Sequence, residues 1–358
     1  MKSRHINIPI FIPHLGCPNN CVFCNQKTIS GRQFFDEGDV PRQIEEALST
    51  VPSGTEAEIA FFGGSFTAID RGLMVRLLDA AERYLRDPGC PVSSLRCSTR
   101  PDAIDPETVR ILKEYGMETV ELGVQSMSDR VLALSKRGHT AADSEMAFAL
   151  LREYGFRTVG QMMIGLPGST ADDERRTAEK ICDMGADAAR IYPTVVFSDT
   201  ELRAMAERGE YVPVTDEEAA SVAADLIEIF DARGVAVIRT GLCASENLAS
   251  PEEVYGGASH PAIGEMAMSE VFFRREREAL ERLAAAGKLA GNAASVRISV
   301  PRGKMSQAVG QKRINIKKLS AAFPGVRVSF TESEGLSGYS VSASPVRNPL
   351  TNPLTIQR

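Results

Sequence analysis

Short runs rich in β-branched and aromatic residues alternate along this chain with longer stretches whose apolar positions recur at helical spacing. "INIPIFIP" reads as a first strand and "VPRQIEEALSTV" as a helix. "AEIAFFGG" is a strand ending in two glycines, and "RGLMVRLLDAAERYLRD" is an amphipathic helix. "SLRCSTRPD" is a strand closed by Pro101. "DPETVRILKEYG" is a helix with Asp105 as its N-cap, Pro106 at its first position and Gly116 as its stop. The strand "METVELGVQS" leads to a helix capped by Thr140 and closed by Gly155. Next come the strand "FRTVGQMMIGLPG", the helix "STADDERRTAEKICDMG" and a sixth strand, "ADAARIYPTVVF". Strands alternating with helices predict an α/β fold with a parallel sheet, and this rhythm predicts a partial (β/α)6 TIM-type barrel. The loops "HLGCPNNC", "FFGGSFT", "STRPD" and "GLPGST" all follow strands. They therefore gather at the C-terminal face, where such barrels carry their chemistry.

This reading assigns residues 1–215 to the barrel and 216–287 to barrel-completing helices, a strand and a long loop. Within the second segment, "VTDEEAASVAADLIEIFDARG" starts with a capping box from Thr215 to Glu218, and "VAVIRTG" looks like a strand. "LCASENLASPEEVYGGASHPAIG" has little periodicity, so a functional or disordered loop is expected there. A helix then runs to Gly287. Residues 288–343 read as a small basic α/β lobe of strand, loop, helix and strand. Residues 344–358, in the Pro-rich end "SASPVRNPLTNPLTIQR", read as a disordered tail.

Charge divides the chain along the same line. The whole molecule carries −6, which argues against a general polyanion binder. Between Lys288 and Phe330, however, there are nine Lys and Arg and no acidic residue, leaving −15 for the rest. That asymmetry is the footprint of a nucleic-acid arm on an acidic enzyme. The loop "VGQKRIN" resembles the GxxG loop of KH domains, which clamps a nucleic-acid backbone. Its second glycine is missing, so the likeness is partial. Lys304, Lys312, Arg313, Lys317 and Lys318 are the candidate RNA contacts; the bland alternative is a solvated basic face.

Seven cysteines and no secretion signal point to a reducing, cytoplasmic setting rather than a disulfide framework. No apolar run approaches the roughly 20 residues of a membrane span. Three of the cysteines, Cys17, Cys21 and Cys24, fall within "HLGCPNNCVFCNQ". A zinc site needs a fourth ligand, and here it would have to be His14 or a distant cysteine. A thiolate trio can instead hold three irons of a cubane cluster and leave the fourth open.

The spacing resembles the cluster-binding loop of the radical S-adenosylmethionine (SAM) enzymes. That resemblance implies a 4Fe-4S cluster held by Cys17, Cys21 and Cys24, with SAM on the open iron. Gly63 and Gly64 in "FFGGSFT" resemble the glycine pair beside the SAM methionine moiety; alone they would suit a simple turn. Phe23 matches an aromatic near the adenine, although a core contact would serve equally. Further on, "STRPDAID", "VELGVQSMSDRVLALSKRGHTAADSEMAFALLREYGFRTVGQMMIGLPGST" and "IYPTVVFSDTELRAMAERGEY" are similar to the radical SAM core of the Elongator catalytic-subunit family, over about residues 5–215. By that analogy Ser98 and Arg100 on strand three, Gln125 after strand four and Met163 on strand five line the SAM pocket. Glu121 belongs either there or in a buried polar network. The cysteine spacing is tighter than Elongator's, and 358 residues leave no room for an acetyltransferase domain after the barrel.

Tyr192, ending strand six, and His260, in the long loop, are the candidate catalytic side chains on the substrate side. Cys243 reads as structural, the alternative being a radical or methyl acceptor. The leading expectation is modification of an RNA base, in tRNA, with a flavodoxin- or ferredoxin-type electron donor implied by the resemblance. The alternatives are coproporphyrinogen-oxidase-like chemistry on a small molecule and a non-enzymatic iron–sulfur RNA-binding regulator.

Overall fold

A computed structural model describes residues 4–12, 15–25, 35–242, 250, 252–289 and 295–346. The chain separates into two compact units. The first holds residues 1–219 and 229–261, and the second 220–228 and 262–358.

The first unit is built on a seven-strand sheet. Its strands are β1 (Arg4–Ile12), β2 (Thr55–Gly63), β3 (Val92–Thr99), β4 (Met117–Gln125), β5 (Arg157–Ile164), β6 (Ala188–Pro193) and β8 (Ala236–Thr240). They neighbour one another in that order, every pair parallel, as a curled partial barrel. The six-strand expectation gains a seventh, from the "VAVIRTG" run. Between the strands lie α1 (Val40–Ser49), α2 (Arg71–Arg86), α3 (Pro106–Glu114), α4 (Asp129–Leu134), α5 (Ala141–Glu153) and α6 (Ala171–Asp183). Asp105, Thr140 and Thr170 cap the first turns of α3, α5 and α6 with their side chains, Thr140 and Thr170 in full capping boxes. Parallel strands under helices bury one face in apolar side chains. Ile8, Ile10, Ile12, Ile59, Phe61, Leu95, Val120, Leu122, Met162 and Ile191 supply that face here, all at 3% exposure or less. Each fully buried large side chain stabilises by about 1.5–3 kcal/mol.

Two expectations change. The sixth strand does not run through to Phe197. Thr194, fully buried, turns the chain by donating its N–H and its hydroxyl to Ile164 O at 2.9 and 2.7 Å. The continuation, β7 (Val195–Phe197), joins a separate two-strand sheet with β9 (Val254–Gly257). The stretch read as an aperiodic loop therefore contains a strand, too short for its four residues to show an alternation. Helices α7 (Glu201–Glu207) and α8 (Asp216–Ala232) follow β7 in the chain. The Thr215–Glu218 capping box of α8 is present as expected.

In the second unit α9 (Ile263–Ala285) packs with a three-strand sheet in the order β11 (Arg327–Ser333), β10 (Ser295–Pro301), β12 (Ser342–Pro345). β10 pairs parallel with β11 and antiparallel with β12. Two short helices, α10 (Met305–Val309) and α11 (Ile314–Ala322), connect β10 to β11. The sequence reading groups the helix of residues 263–285 with the barrel; the structure groups it with this sheet, around Phe272, Leu280, Val296, Ile298, Val300 and Leu319. Ser342–Pro345 is a strand, although the Pro-rich composition there reads as tail. The rest of the expected tail, residues 347–358, lies outside the described residues, as do His14 and Cys243. No helix among the described residues is long and apolar enough to cross a membrane.

Glu276 lies on α9 one turn from both Phe272 and Leu280, fully buried, with no hydrogen-bond partner for either carboxylate oxygen. Burial pushes its carboxyl from 4.5 up to about 9. The folded protein therefore holds a proton there that the unfolded chain releases above 4.5, so this group costs more stability as pH rises through that window. The limiting slope is about 1.4 kcal/mol per pH unit. Glu276→Met is expected to raise the unfolding midpoint, by a margin that widens between about pH 5 and pH 8. A pH-independent margin in thermal unfolding would rule this out.

Candidate active site

The cysteine loop begins where β1 ends, and two short backbone segments hold it. Gly64 N donates to Ile12 O at 2.8 Å, and Ser65 N donates to Leu15 O at 3.0 Å. Glycine is required on both sides. A Cβ on Gly64 would lie 2.0 Å from Leu15 O, and one on Gly16, whose φ is +74°, would lie 2.2 Å from Ser65 O. The turn after β2 is tied in the same way to the end of β3. Ser65 Oγ and Thr67 Oγ1 lie 2.8 and 2.6 Å from Thr99 Oγ1, and Arg100 N donates to Ser65 Oγ. The sequence reading gives the glycine pair to a cofactor. In the structure the first demand on it is the close passage of the cysteine loop's own backbone. Gly16, which meets the same turn from the other side, has no place in the sequence reading.

Beyond Gly16 the loop is held at four more points. Asn19 Nδ2 donates to Arg137 O at 3.4 Å, and Val22 N to Ser135 O at 3.1 Å. Cys24 N turns back to Cys21 O, and Val22 O accepts from Leu202 N at 2.8 Å. Val22 is buried with Val196, Leu202 and Tyr211, and Phe23 packs against that group. The core contact therefore accounts for Phe23 on the structure alone. Cys21 is buried, whereas Cys17 and Cys24 are half-buried; neither Cys17 nor Cys21 is in a disulfide, nor is Cys24. Burial pushes the Cys17 thiol up, against the pull of the Arg137 and Arg100 charges. Among the described residues no three His, Cys, Asp or Glu side chains gather as ligands of a single ion would. A cubane asks for a different spacing, since each thiolate meets its own iron.

The sheet face opposite the apolar one is polar. Glu58 accepts from Arg96 at 3.2 Å and Glu121 from Arg96 at 3.4 Å, and Arg190 forms an ion pair with Glu121 at 2.8 Å. Both guanidinium carbons sit 5.8 Å from the Phe62 ring centroid. Arg190 donates to Tyr192 Oη at 3.2 Å, and burial pushes the Tyr192 phenol up, so it stays protonated. Gln125 and Gln161 exchange amide hydrogen bonds of 3.0 and 2.9 Å. Gln125 is the last residue of β4 rather than beyond it, at a left-handed φ of +63°.

Ser98, on β3, and Met163, on β5, share this face by register: Ser98 opposes Glu121, and Met163 opposes Tyr192. Glu121 is mid-strand in the ion network, the second of its two expected roles. Arg100 is not on strand three but one residue past it. Its buried guanidinium is committed to Asp102, with two contacts of 2.9 Å. His260 is exposed, its backbone N–H donating to Asp216 Oδ1 at the start of α8. Arg96, Arg190, Gln161 and Arg137 are site residues that the sequence reading passes over. A charged residue inside an otherwise apolar strand is a signal that flags the first two. Arg137, in "LSKRGHT", reads like any exposed loop charge.

In the second unit Gly310, Gln311, Lys312 and Arg313 connect α10 to α11. Lys312 and Arg313 both take left-handed φ values, 50° and 59°. The missing glycine of the GxxG likeness is thus replaced by an arginine that keeps the glycine-type backbone. Lys312, Arg313 and Lys317 are exposed. Lys318 pairs with Glu270 at 2.8 Å and lies over Phe273, and Lys304 lies 5.9 Å from the Tyr339 ring centroid. Two of the five candidate RNA contacts are therefore already engaged within the unit.

Residues 11–181 match the Radical SAM superfamily and residues 186–271 the Radical_SAM C-terminal domain. The tRNA uridine(34) acetyltransferase of Methanocaldococcus infernus is 36% identical over 58% of this chain and 46% of its own. The heme chaperone HemW of Bacillus subtilis is 25% identical over 61% of this chain and 57% of its own. The chain thus spans about half the length of these relatives. The solved structure of Elp3 from M. infernus shares the fold, with a TM-score of 0.57 at 22% identity, over 80% of this chain and 64% of that one.

Gly64→Ala is expected to cost about 2–3 kcal/mol, because a backbone carbonyl must move to admit the methyl group. Ala on Gly335, where φ is not left-handed and a Cβ meets only Ser333 Oγ at 3.7 Å, is the control for methyl volume. Equal unfolding midpoints for the two variants would remove the packing argument.

Proposed function

The chain belongs to the radical SAM superfamily, whose members use a 4Fe-4S cluster and SAM, and on that premise we propose that it modifies a base of RNA, in tRNA. The donor set fits the cluster. Cys17, Cys21 and Cys24 sit on a loop pinned at both ends of its thiol segment, and a buried guanidinium, Arg137, points at the most buried thiol. These three cysteines would hold the cluster, while Gly63 and Gly64 line the strand end where the SAM methionine moiety would rest. Together the bound groups supply a 5′-deoxyadenosyl radical, a species able to attack unreactive C–H positions.

The remaining work falls to the protein's own side chains. Arg96, Arg190, Glu58 and Glu121 form a fixed ion network that keeps the polar sheet face rigid. Ser98, Gln125 and Met163, on the same face, would line the side of the pocket where SAM binds. Tyr192, held by Arg190 and kept protonated, presents a hydroxyl that can donate to a substrate oxygen or nitrogen. His260, at the surface, has no part in this reading.

The pinned three-cysteine loop carries the enzyme reading. Support for RNA comes from the second unit, whose α10–α11 turn exposes Lys312, Arg313 and Lys317 around glycine-type backbone, and from the tRNA-modifying relative. A splayed base held by its backbone phosphates at such a turn is a form in which RNA bases become reactive.

Two measurements test this. Anaerobically reconstituted protein with reductant should release 5′-deoxyadenosine from SAM, and Cys17→Ser, Cys21→Ser or Cys24→Ser should abolish that release; release by all three would exclude them as ligands. Replacing Lys312, Arg313 and Lys317 together by Ala should weaken tRNA binding and reduce the slope of log K against log salt by about 3, one for each phosphate no longer neutralised. An unchanged slope, with no altered nucleoside in RNA from a deletion strain, would turn the reading to a small-molecule substrate.

A further inference from the structure

The segment Ser135–Gly138 is moulded onto the cysteine loop. Ser135 O and Arg137 O accept from Val22 N and Asn19 Nδ2. Lys136 takes a left-handed φ of 52° to make that turn. Gly138 lies so close that a Cβ on it would come within 1.8 Å of Asn19 Nδ2. Inside the turn, Arg137 is 8% exposed. Its Nη2 donates to Gly123 O at 3.0 Å and its Nη1 to Cys21 Sγ at 3.7 Å, while Nε is buried with no partner.

Among the described residues no carboxylate pairs with Arg137. The neighbouring Arg100 is matched by Asp102. Burying an unpaired guanidinium costs several kcal/mol, so a site that keeps one is built for an anion. Among the described residues the acidic group that its side chain donates to is the Cys21 thiol. His139 adds no second positive charge there: burial and the same two arginines hold it well below the ordinary histidine value, at about 4, so it stays neutral.

We propose that Arg137 is a positioning residue for the cluster, whose fixed charge and N–H···S bond at Cys21 favour the reduced state. The inference rests on Cys17, Cys21 and Cys24 being the ligands. A cubane on three thiolates is an anion, and taking one electron from a low-potential donor makes it more negative by one charge. A cation held against a ligand sulfur stabilises the more negative form, and hydrogen bonds to cluster sulfurs act in the same direction. Arg137 would thereby ease the one-electron reduction that precedes SAM cleavage.

The test is an EPR-monitored redox titration of reconstituted wild-type, Arg137→Lys, Arg137→Gln and Arg137→Met proteins, with iron and sulfide content measured for each. The Met and Gln variants are expected to have midpoints more negative than wild type, with the Lys variant between. Identical midpoints for wild type and Met would overturn the proposal. An equal shift for Lys and Gln would also overturn it, because packing rather than charge would then be the cause. Should the Met variant fail to load, the Lys–Gln comparison decides alone. Failure of the wild type itself to take up a cluster would sink the ligand assignment and this inference with it, whereas a loaded wild type with unmoved variants would sink only the role of Arg137.

Discussion

Everything at the candidate site depends on the passage of two backbones past each other at Gly16 and Gly64. The loop that leaves β1 and the turn that leaves β2 come within hydrogen-bonding distance twice, and neither position tolerates a side chain. Parallel neighbouring strands normally diverge as they leave a sheet. Here the divergence is cancelled by two direct backbone bonds and by the hydroxyl cluster of Ser65, Thr67 and Thr99. The cysteine segment therefore starts from a fixed point on the sheet rather than from a free loop.

From that fixed point the second anchor follows. Ser135–Gly138 lies between α4 and α5, and through Val22 and Asn19 it sets the far side of the loop. The two anchors are unlike. The first is neutral backbone on backbone, indifferent to what the thiols carry. The second brings a charge, so it responds to the state of the thiols. A stable scaffold and an electrostatically sensitive contact thus act on one eight-residue stretch.

The barrel was legible because each β/α unit satisfies local rules on its own: apolar strands, capped helices, glycine stops. The cysteine trio and the glycine pair were legible as patterns, since their residue types are rare and their spacing tight. What the chain did not reveal was long-range. Arg137 meets Cys21 across more than a hundred residues, and nothing near it in sequence distinguishes it from Lys136, whose side chain pairs at the surface with Glu201. Phe23 had two readings, and only its neighbours Val196, Leu202 and Tyr211 weighed between them. Short strands such as β9 and β12 carry too few residues to display a period, and their identity comes from the strand they pair with.

The left-handed pair Lys312–Arg313 has a consequence for how the second unit would meet a ligand. Glycine at the fourth position would adopt the same shape at no steric cost, but it would also wander, and binding would have to halt the wandering. Arginine held at φ 59° costs about 1–2 kcal/mol in the free protein. That cost is met when the chain folds, not when the partner arrives. The turn is consequently preorganised, and an encounter there loses less conformational entropy than a glycine loop of equal charge would lose.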